Sequence, residues 1–439
     1  MHPRNLIILA ALLAWPLSTS AAEKRKSAPA PEPISGNLTL ASALARTLVE
    51  SPELAAFSWD FRAAEARIIQ ARLKPNPELR LDVENPTGSG RFKSGDEMQH
   101  TLQLSQLIEL GGKLPARLAV AEAERALANS EYQVKRVEVL KATTLAFVDV
   151  LAAQRRISLA EEFVKVADDA VQLTTQRVNV GKSSAVENTR ANVAAASARI
   201  EVTQARRELL AAKARLAAQW GARRVDFDTV SGDLDRRKEK PALETLRTRL
   251  LGNPQLTRWI AEREKRQAML AKEQAAAKPD ITIAGGPRAV GKADDVSFVA
   301  GFSIPLPLRN RNQGAIAEAR ANLAKLEDER RAAEARAFAE LSGAYQRLMG
   351  ASEELTALEG SVIPGAMDAE KQLSDGYDLG RFTQFEVLDA RKTLNAARAQ
   401  QLKALAEYHK SLAEIEALTA QPVSLPHSAP ATTKTTKRK

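Results

Sequence analysis

The sequence predicts a mainly α-helical protein with a small β part, built twice on one plan. Three observations carry that prediction. Long stretches rich in Ala, Leu, Glu, Lys, Arg and Gln lack glycine and proline, and aromatic residues make up only 4% of the 439. That composition suits long coiled-coil helices with narrow seams better than a thick globular core. Four short runs alternate apolar and polar residues with period two, as strands with one face of each kind do. The order of these features then repeats at an offset of about 200 residues, which marks an internal duplication.

The elements follow in order. Arg4 precedes the apolar run LIILAALLAWPL and the small residues STSAA. The run is too short to cross a bilayer, so residues 1–22 read as a secretory signal peptide. Cysteine is absent, which excludes disulfides, thiolate metal sites and the lipidated cysteine of a lipoprotein. Residues 23–37 read as a flexible linker. In the first repeat, 38–220, Thr39 caps a helix that runs to about Leu73, where KPNP ends it. PELRLDVENP and HTLQLSQLIEL set Leu79, Leu81, Val83, Leu102 and Leu104 against polar neighbours, giving strands at about 77–86 and 98–108. Leu114 to Val180 has no glycine, and no proline after Pro115; about 65 helical residues would span about 100 Å. Gly181 makes a tip at 179–184, and a second helix runs from Ala185 to Trp220. Residues 221–240 are charged and irregular and read as an equatorial linker.

The second repeat, 241–420, replays this. LLGNPQL (250–256) parallels LVESPEL (48–54), and Lys278-Pro279 parallels Lys74-Pro75. Strands are expected at about 279–286 and 295–305, then a long helix from about Gln313, a tip at 378–383 around Gly380, and a last helix to about 420. Gly343, Gly350, Gly360 and Pro364 interrupt this copy's long helix, with a joint expected at Pro364. Residues 421–439 read as a disordered basic tail. Each tip glycine is followed six residues later by a carboxylate, Glu187 or Glu386.

Strands of about 9–11 residues are long enough to cross a membrane. Four cannot close a barrel, since the smallest membrane barrels have eight, and lipid does not tolerate an open edge. Several chains must therefore share one barrel, and three would supply about twelve strands. Two ordinary hairpins on a soluble periplasmic coiled-coil scaffold are the alternative of another class. The net charge of +10 owes much to Lys24, Arg25, Lys26, Lys434, Lys437, Arg438 and Lys439 in the two ends, so it does not point to nucleic acid. His2, His100, His409 and His427 form no i,i+4 pair or acidic cluster, and neither a metal site nor a cofactor is expected. Next to a strand start, His100 reads as surface or barrel lining. No nucleophile with a base and no phosphate loop is present, so enzyme activity is not expected.

LIELGGKLPARLAVAEAE (107–124), IPLPLRNRNQGAIAEARANL (304–323) and GYDLGRFTQFEVLDARKTL (376–394) resemble the TolC-type outer-membrane efflux proteins. The resemblance covers about residues 38–420, and ELGGK and RNRNQGAIAEA are most like the heavy-metal, cobalt-zinc-cadmium (CzcC-like) branch. It implies a homotrimer with a twelve-stranded barrel in the outer membrane and an α-helical tunnel across the periplasm. A periplasmic adaptor protein and an inner-membrane resistance-nodulation-division pump would be the partners, and metal cations the cargo. A duct for drugs, organic molecules or secreted protein is the alternative.

The resemblance also implies roles at the tips. Gly181, Lys182, Ser183, Gly380, Arg381 and Phe382 would dock the adaptor. Glu386 and Asp389, three apart and so on one helical face, match acidic residues that ring the periplasmic mouth; mutual repulsion in such a ring would raise their pKa values. From spacing alone the pair reads as solvated surface. Tyr377, Glu187 and Arg381 fall at or near positions whose polar links close the mouth, Arg381 one place from a family arginine. Gly360 and Pro364 would be where the helices bend on opening.

Overall fold

A computed structural model gives the fold and describes residues 34–93, 97–238, 240–290 and 295–419. The expected signal peptide, most of the 23–37 linker, the 421–439 tail, His2 and His427 lie outside the described residues. In chain order the first copy comprises β1 (Ile34–Thr39), α1 (Leu40–Glu50), α2 (Pro52–Arg72), β2 (Glu78–Glu84), β3 (Gln99–Ile108), α3 (Lys113–Asn179) and α4 (Ala185–Ala218). After β4 (Phe227–Ser231) come α5 (Leu243–Leu250), α6 (Pro254–Ala276), β5 (Ile281–Val290), β6 (Asp295–Ser303), α7 (Gln313–Ala357), α8 (Ile363–Asp378) and α9 (Gln384–Leu418).

Thr39 caps α1 as expected, in a capping box with Ser42. The helix expected to continue to Leu73 instead breaks at Ser51, because Pro52 forces its predecessor out of the α region. Pro254 divides α5 from α6 in the same way, and the side chain of Asn253 caps α6 while donating to the carbonyls of Ala417 and Leu418 at 3.1 and 2.7 Å. The start of one copy is thereby tied to the end of α9.

α3 is 67 residues long, about 100 Å. Its buried positions include Ala146, Ala153, Ala160, Ala167 and Thr174, each seven residues from the last. α4 answers with Ala191, Ala198, Ala205 and Ala212 at the same interval. A heptad of small residues lets two antiparallel helices approach closely, and Ala167, Ala195 and Ala198 meet in one buried cluster with Phe163, Val164 and Val171. In the second copy Gly343 and Gly350 do not interrupt α7. Only residues 358–362 depart, as a π turn leading into α8 with Pro364 in its first turn. Pro364 has no N–H for the turn before it, so the chain widens there without breaking.

The four strands form one antiparallel sheet in the order β2-β3-β5-β6, with β2 and β6 at its edges. Leu79, Leu81 and Val83 pair with Leu104, Leu102 and His100, so the apolar residues of neighbouring strands share a face. Ile283 pairs with Phe302 and Ala289 with Val296 on that same face. Arg80, Asp82, Thr101, Arg288 and Ser297 lie on the other. β5 runs through to Val290, four residues beyond the expected end. Gly286 makes this possible: a Cβ there would overlap the Leu102 carbonyl, so only glycine lets β3 pass this close.

The thick core sits at the middle of the molecule, where Phe147, Leu216, Leu250, Leu348, Tyr408 and Ile415 pack together. Two expectations are corrected here. The 23–37 linker ends in β1, which pairs in parallel with β4 inside the 221–240 linker, because Leu38 and Val230 bury themselves against this core. After β4 the chain is a strap held by polar contacts. Tyr408 donates to the Lys238 carbonyl at 2.7 Å, Lys238 meets Glu416 at 2.6 Å, and Arg237 meets Glu359 of the π turn at 2.7 Å.

His409, 2% exposed, sits beneath the strap. Its Nε2 lies 2.8 Å from the Leu234 carbonyl and so carries the proton, leaving Nδ1 buried without a partner. Burial lowers its pKa, with Lys238 adding to the effect and the Leu234 carbonyl, Asp233 and Asp235 opposing it. The unfolded chain then binds a proton more readily than the folded one, so this contribution to stability is complete above the unfolded value of about 6.5 and falls with pH below it. As the pH falls from 7.5 to 5.5, the protection of residues 232–240 against hydrogen exchange, taken relative to the intrinsic rate at each pH, should decrease in the wild type. His409→Gln, which keeps a donor for Leu234, should remove that dependence.

Candidate functional site

At the end away from the sheet, two helical hairpins turn on Gly181 and Gly380, at φ +69° and +71°. This left-handed conformation favours glycine. At the first tip Lys182 N–H donates to the Arg177 carbonyl at 2.7 Å and Gly181 N–H to Val178 at 3.0 Å. At the second, Arg381 N–H donates to Gly376 at 2.8 Å and Gly380 N–H to Tyr377 at 2.9 Å. Both pairs close the helix end as a Schellman motif, satisfying carbonyls that would otherwise be orphaned.

The next helix starts with an equally local device. Thr383 Oγ1 accepts from Glu386 N–H at 3.3 Å, while the Glu386 carboxylate accepts from Thr383 N–H at 2.7 Å and its hydroxyl at 2.9 Å. Ser184 Oγ accepts from Glu187 N–H at 3.3 Å, and the Glu187 carboxylate accepts from the Ser183 hydroxyl. Of the carboxylates six residues past each glycine, that of Glu386 thus completes a helix cap, while that of Glu187 is held by the hydroxyl next to its cap. The signal was present as SAVE and TQFE, the Ser/Thr-x-x-Glu pattern of a capping box.

Capping decides the charge of Glu386. Hydrogen bonds from the Thr383 backbone, then from its side chain, hold this carboxyl below the usual carboxylate range. Within the chain the direction is opposite to the rise expected from a crowded ring, because two donors outweigh any effect of burial at this exposed position. Asp389 is exposed one turn further along α9.

Two arginines join the tips. The Arg177 guanidinium lies 4.8 Å from the centre of the Tyr377 ring, and that of Arg190 lies 5.1 Å from the centre of Phe385. The structure brings Tyr377 together with Arg177 and leaves Glu187 on its own turn. Arg381 and Lys182 are exposed and contribute backbone N–H groups to the Schellman motifs. Phe382 lies over the backbone of buried Gly376, where any side chain would overlap its ring. Arg177, Arg190 and Phe385 were missed by sequence reasoning, since contacts between residues about 200 apart leave no local pattern. A cation–π contact at an exposed site is worth about 0.5–1 kcal/mol. Two such contacts hold the tips in register yet are weak enough to exchange.

Among the described residues no three His, Cys, Asp or Glu side chains are grouped to hold a metal ion, and no helix is long and apolar enough to cross a membrane. The arrangement suits a docking and gating surface more than a binding pocket.

Comparison with known proteins agrees with this geometry. The outer membrane efflux protein family matches over residues 43–222 and 246–421. The cobalt-zinc-cadmium resistance protein CzcC of Cupriavidus metallidurans is 33% identical over 386 residues, covering 88% of this chain and 91% of that protein. Among solved structures, CusC superposes with a TM-score of 0.73 at 16% identity, covering 87% of this chain and 92% of that one. VceC, an outer membrane protein of Vibrio cholerae, gives 0.70 at 20% identity, covering 87% and 96%. At those identities the two structures bear on the fold alone, which is that of the TolC-like channels.

Thr383→Ala should destabilise the second hairpin by roughly 1 kcal/mol, the usual loss for a helix cap. Gly376→Ala should displace Phe382. Both should appear as faster hydrogen exchange confined to residues 376–388, with the first hairpin unchanged.

Proposed function

The chain belongs to the outer membrane efflux protein family, whose members are channels and not enzymes, and we propose that it is the outer-membrane exit duct of a three-part heavy-metal efflux system. The observation that carries the duct is the sheet. Its strands are 7–10 residues long, one face is apolar, and the outer side of each edge strand has no partner among the described residues. In lipid those edges need partners, and three copies joined β6 to β2 would close a barrel of about twelve strands.

The helices support the same trimer. Val186, Val193 and Ile200 lie exposed at seven-residue intervals along α4, a heptad stripe with no partner helix among the described residues, while Met367 lies exposed on α8 and Leu379 just past its end. α4 of one copy against α8 of the next would extend the barrel into a helical tunnel. At its far end the six tips, through Gly181, Lys182, Ser183, Gly380, Arg381 and Phe382, would receive a periplasmic adaptor that links the duct to an inner-membrane resistance-nodulation-division pump.

Glu386 and Asp389 of three copies would ring the mouth with carboxylates. Capping keeps Glu386 ionised below its ordinary range, so the ring would stay negative at neutral pH and favour cations over anions. Opening would exchange the Arg177–Tyr377 and Arg190–Phe385 contacts as α8 and the start of α9 swing about the π turn. The metal cargo rests on the likeness to CzcC, a resistance protein for cobalt, zinc and cadmium. A channel that conducts such ions has no need to hold them.

Planar-bilayer recordings of the purified protein, wild type against Glu386→Gln/Asp389→Asn, test the mouth. Glutamine also serves in a capping box, so the variant changes charge while sparing the turn. Cation selectivity should fall severalfold; unchanged selectivity would remove these residues from the gate. Cells lacking the chain should become sensitive to cobalt, zinc or cadmium salts. Sensitivity to organic compounds alone would overturn the cargo.

A further inference from the structure

The two copies differ where the second strand of each passes into its long helix. Residues 109–112 join β3 to α3, whereas the longer stretch 304–312, IPLPLRNRN, joins β6 to α7. Pro305 and Pro307 hold the longer connection extended and remove two N–H donors. Leu306 and Leu308 are 74% and 76% exposed. At two-residue spacing they continue the series Phe298, Phe302 and Ile304, which ends the apolar face of β6.

Arg309 and Arg311 follow at once, and Lys278 lies across the groove at the approach to β5. All three are exposed, and among the described residues no ion pair engages their side chains. In the matching region of the first copy Arg117 is paired with Glu109 at 2.6 Å and Arg67 with Glu124 at 3.0 Å, while Lys74, the counterpart of Lys278, is exposed like it. Nor are the carboxylates beside the longer connection free. Asp280 is held by Lys113 at 2.7 Å and by Leu110 N–H at 3.0 Å, and Glu273 accepts from Asn312 at 2.8 Å. The groove, about 640 Å³ and lined by Leu306, Leu308, Lys278 and Arg309, with Arg311 just beyond its lining, therefore pairs an apolar wall with surplus positive charge.

We infer that the 304–312 connection together with Lys278 binds an anionic phospholipid of the leaflet on the helical side of the barrel. The wall continues the membrane face to the level where hydrocarbon gives way to headgroups. An acyl chain lies against Leu306 and Leu308, and the phosphate meets Arg309, Arg311 and Lys278. The inference rests on the outer-membrane reading above.

The test is native mass spectrometry of the detergent-purified assembly, stripped of lipid and supplied with phosphatidylglycerol or phosphatidylethanolamine. Wild type should retain phosphatidylglycerol preferentially, and Lys278→Gln/Arg309→Gln/Arg311→Gln should weaken that retention about tenfold or more at unchanged assembly mass. Equal retention by the variant would overturn the site. Leu306→Ser/Leu308→Ser should keep the assembly mass and lose lipid; dissociation into single chains would show instead that the leucines seal one copy against another, and would overturn it too. Flotation with phosphatidylethanolamine vesicles separates the two levels of the argument. Protein that floats but shows no lipid preference refutes only this site, whereas protein that never floats refutes the outer-membrane reading beneath it.

Discussion

Among the described residues no strand pairs with the outer side of β2 or of β6, and in hydrocarbon the backbone N–H and C=O groups of such an edge have no water to turn to. That constraint orders much of the molecule. A sheet with one apolar face and two open edges is completed, in the reading proposed above, by other copies of itself. Most of the large apolar residues of the four strands fall on one face because the register keeps Leu81 beside Leu102 and Ile283 beside Phe302. A slip of one residue on any strand would turn its leucines inward and its charges outward. Gly286 guards the register at the closest approach, where the Leu102 carbonyl fills the space a side chain would take.

The helices answer a different demand, length with little bulk. A seam of alanines lets α3 and α4 lie close along much of their course, and it costs little side-chain entropy. Such a seam also buries little apolar area per turn. The thick packing is accordingly gathered at the middle, around Phe147, Leu216, Tyr408 and Ile415, where β1, β4 and the strap bind the two copies into one body. The tips, far from that core, depend on hydrogen bonds within a single turn and on arginine over aromatic rings. Stability thus falls from the middle toward the tips.

Much of this was legible in the sequence because it is periodic or local. Alternation gave the strands, the lack of breakers gave α3, and Gly181 and Gly380 gave the tips. Other features were written locally and misread. Ser51-Pro52 announces a break, and SAVE and TQFE announce caps, but the tip carboxylates drew attention as charges before they were weighed as hydrogen-bond acceptors. A third group could not be read at all. The pairing of β1 with β4, the strap over His409, and Arg177 over Tyr377 join residues distant in the chain through packing that no window of sequence contains. Glycine proved a poor guide inside α7, since Gly343 and Gly350 cost helix propensity without altering its path; only Pro364, which withholds a donor, changed the backbone.

The π turn at 358–362 has a bearing on descent as well as on mechanics. A π turn carries one residue more than the α turn it replaces, so everything beyond it is rotated by about 100° relative to the pattern before it. α7 and α8 therefore read one continuous sequence in two phases, and α8 can face a different neighbour from the one α7 faces. α3, its counterpart, keeps a single phase for its whole length. One added residue is thus enough to let two halves that began alike diverge in what they touch, without a new fold and with hardly a change in length.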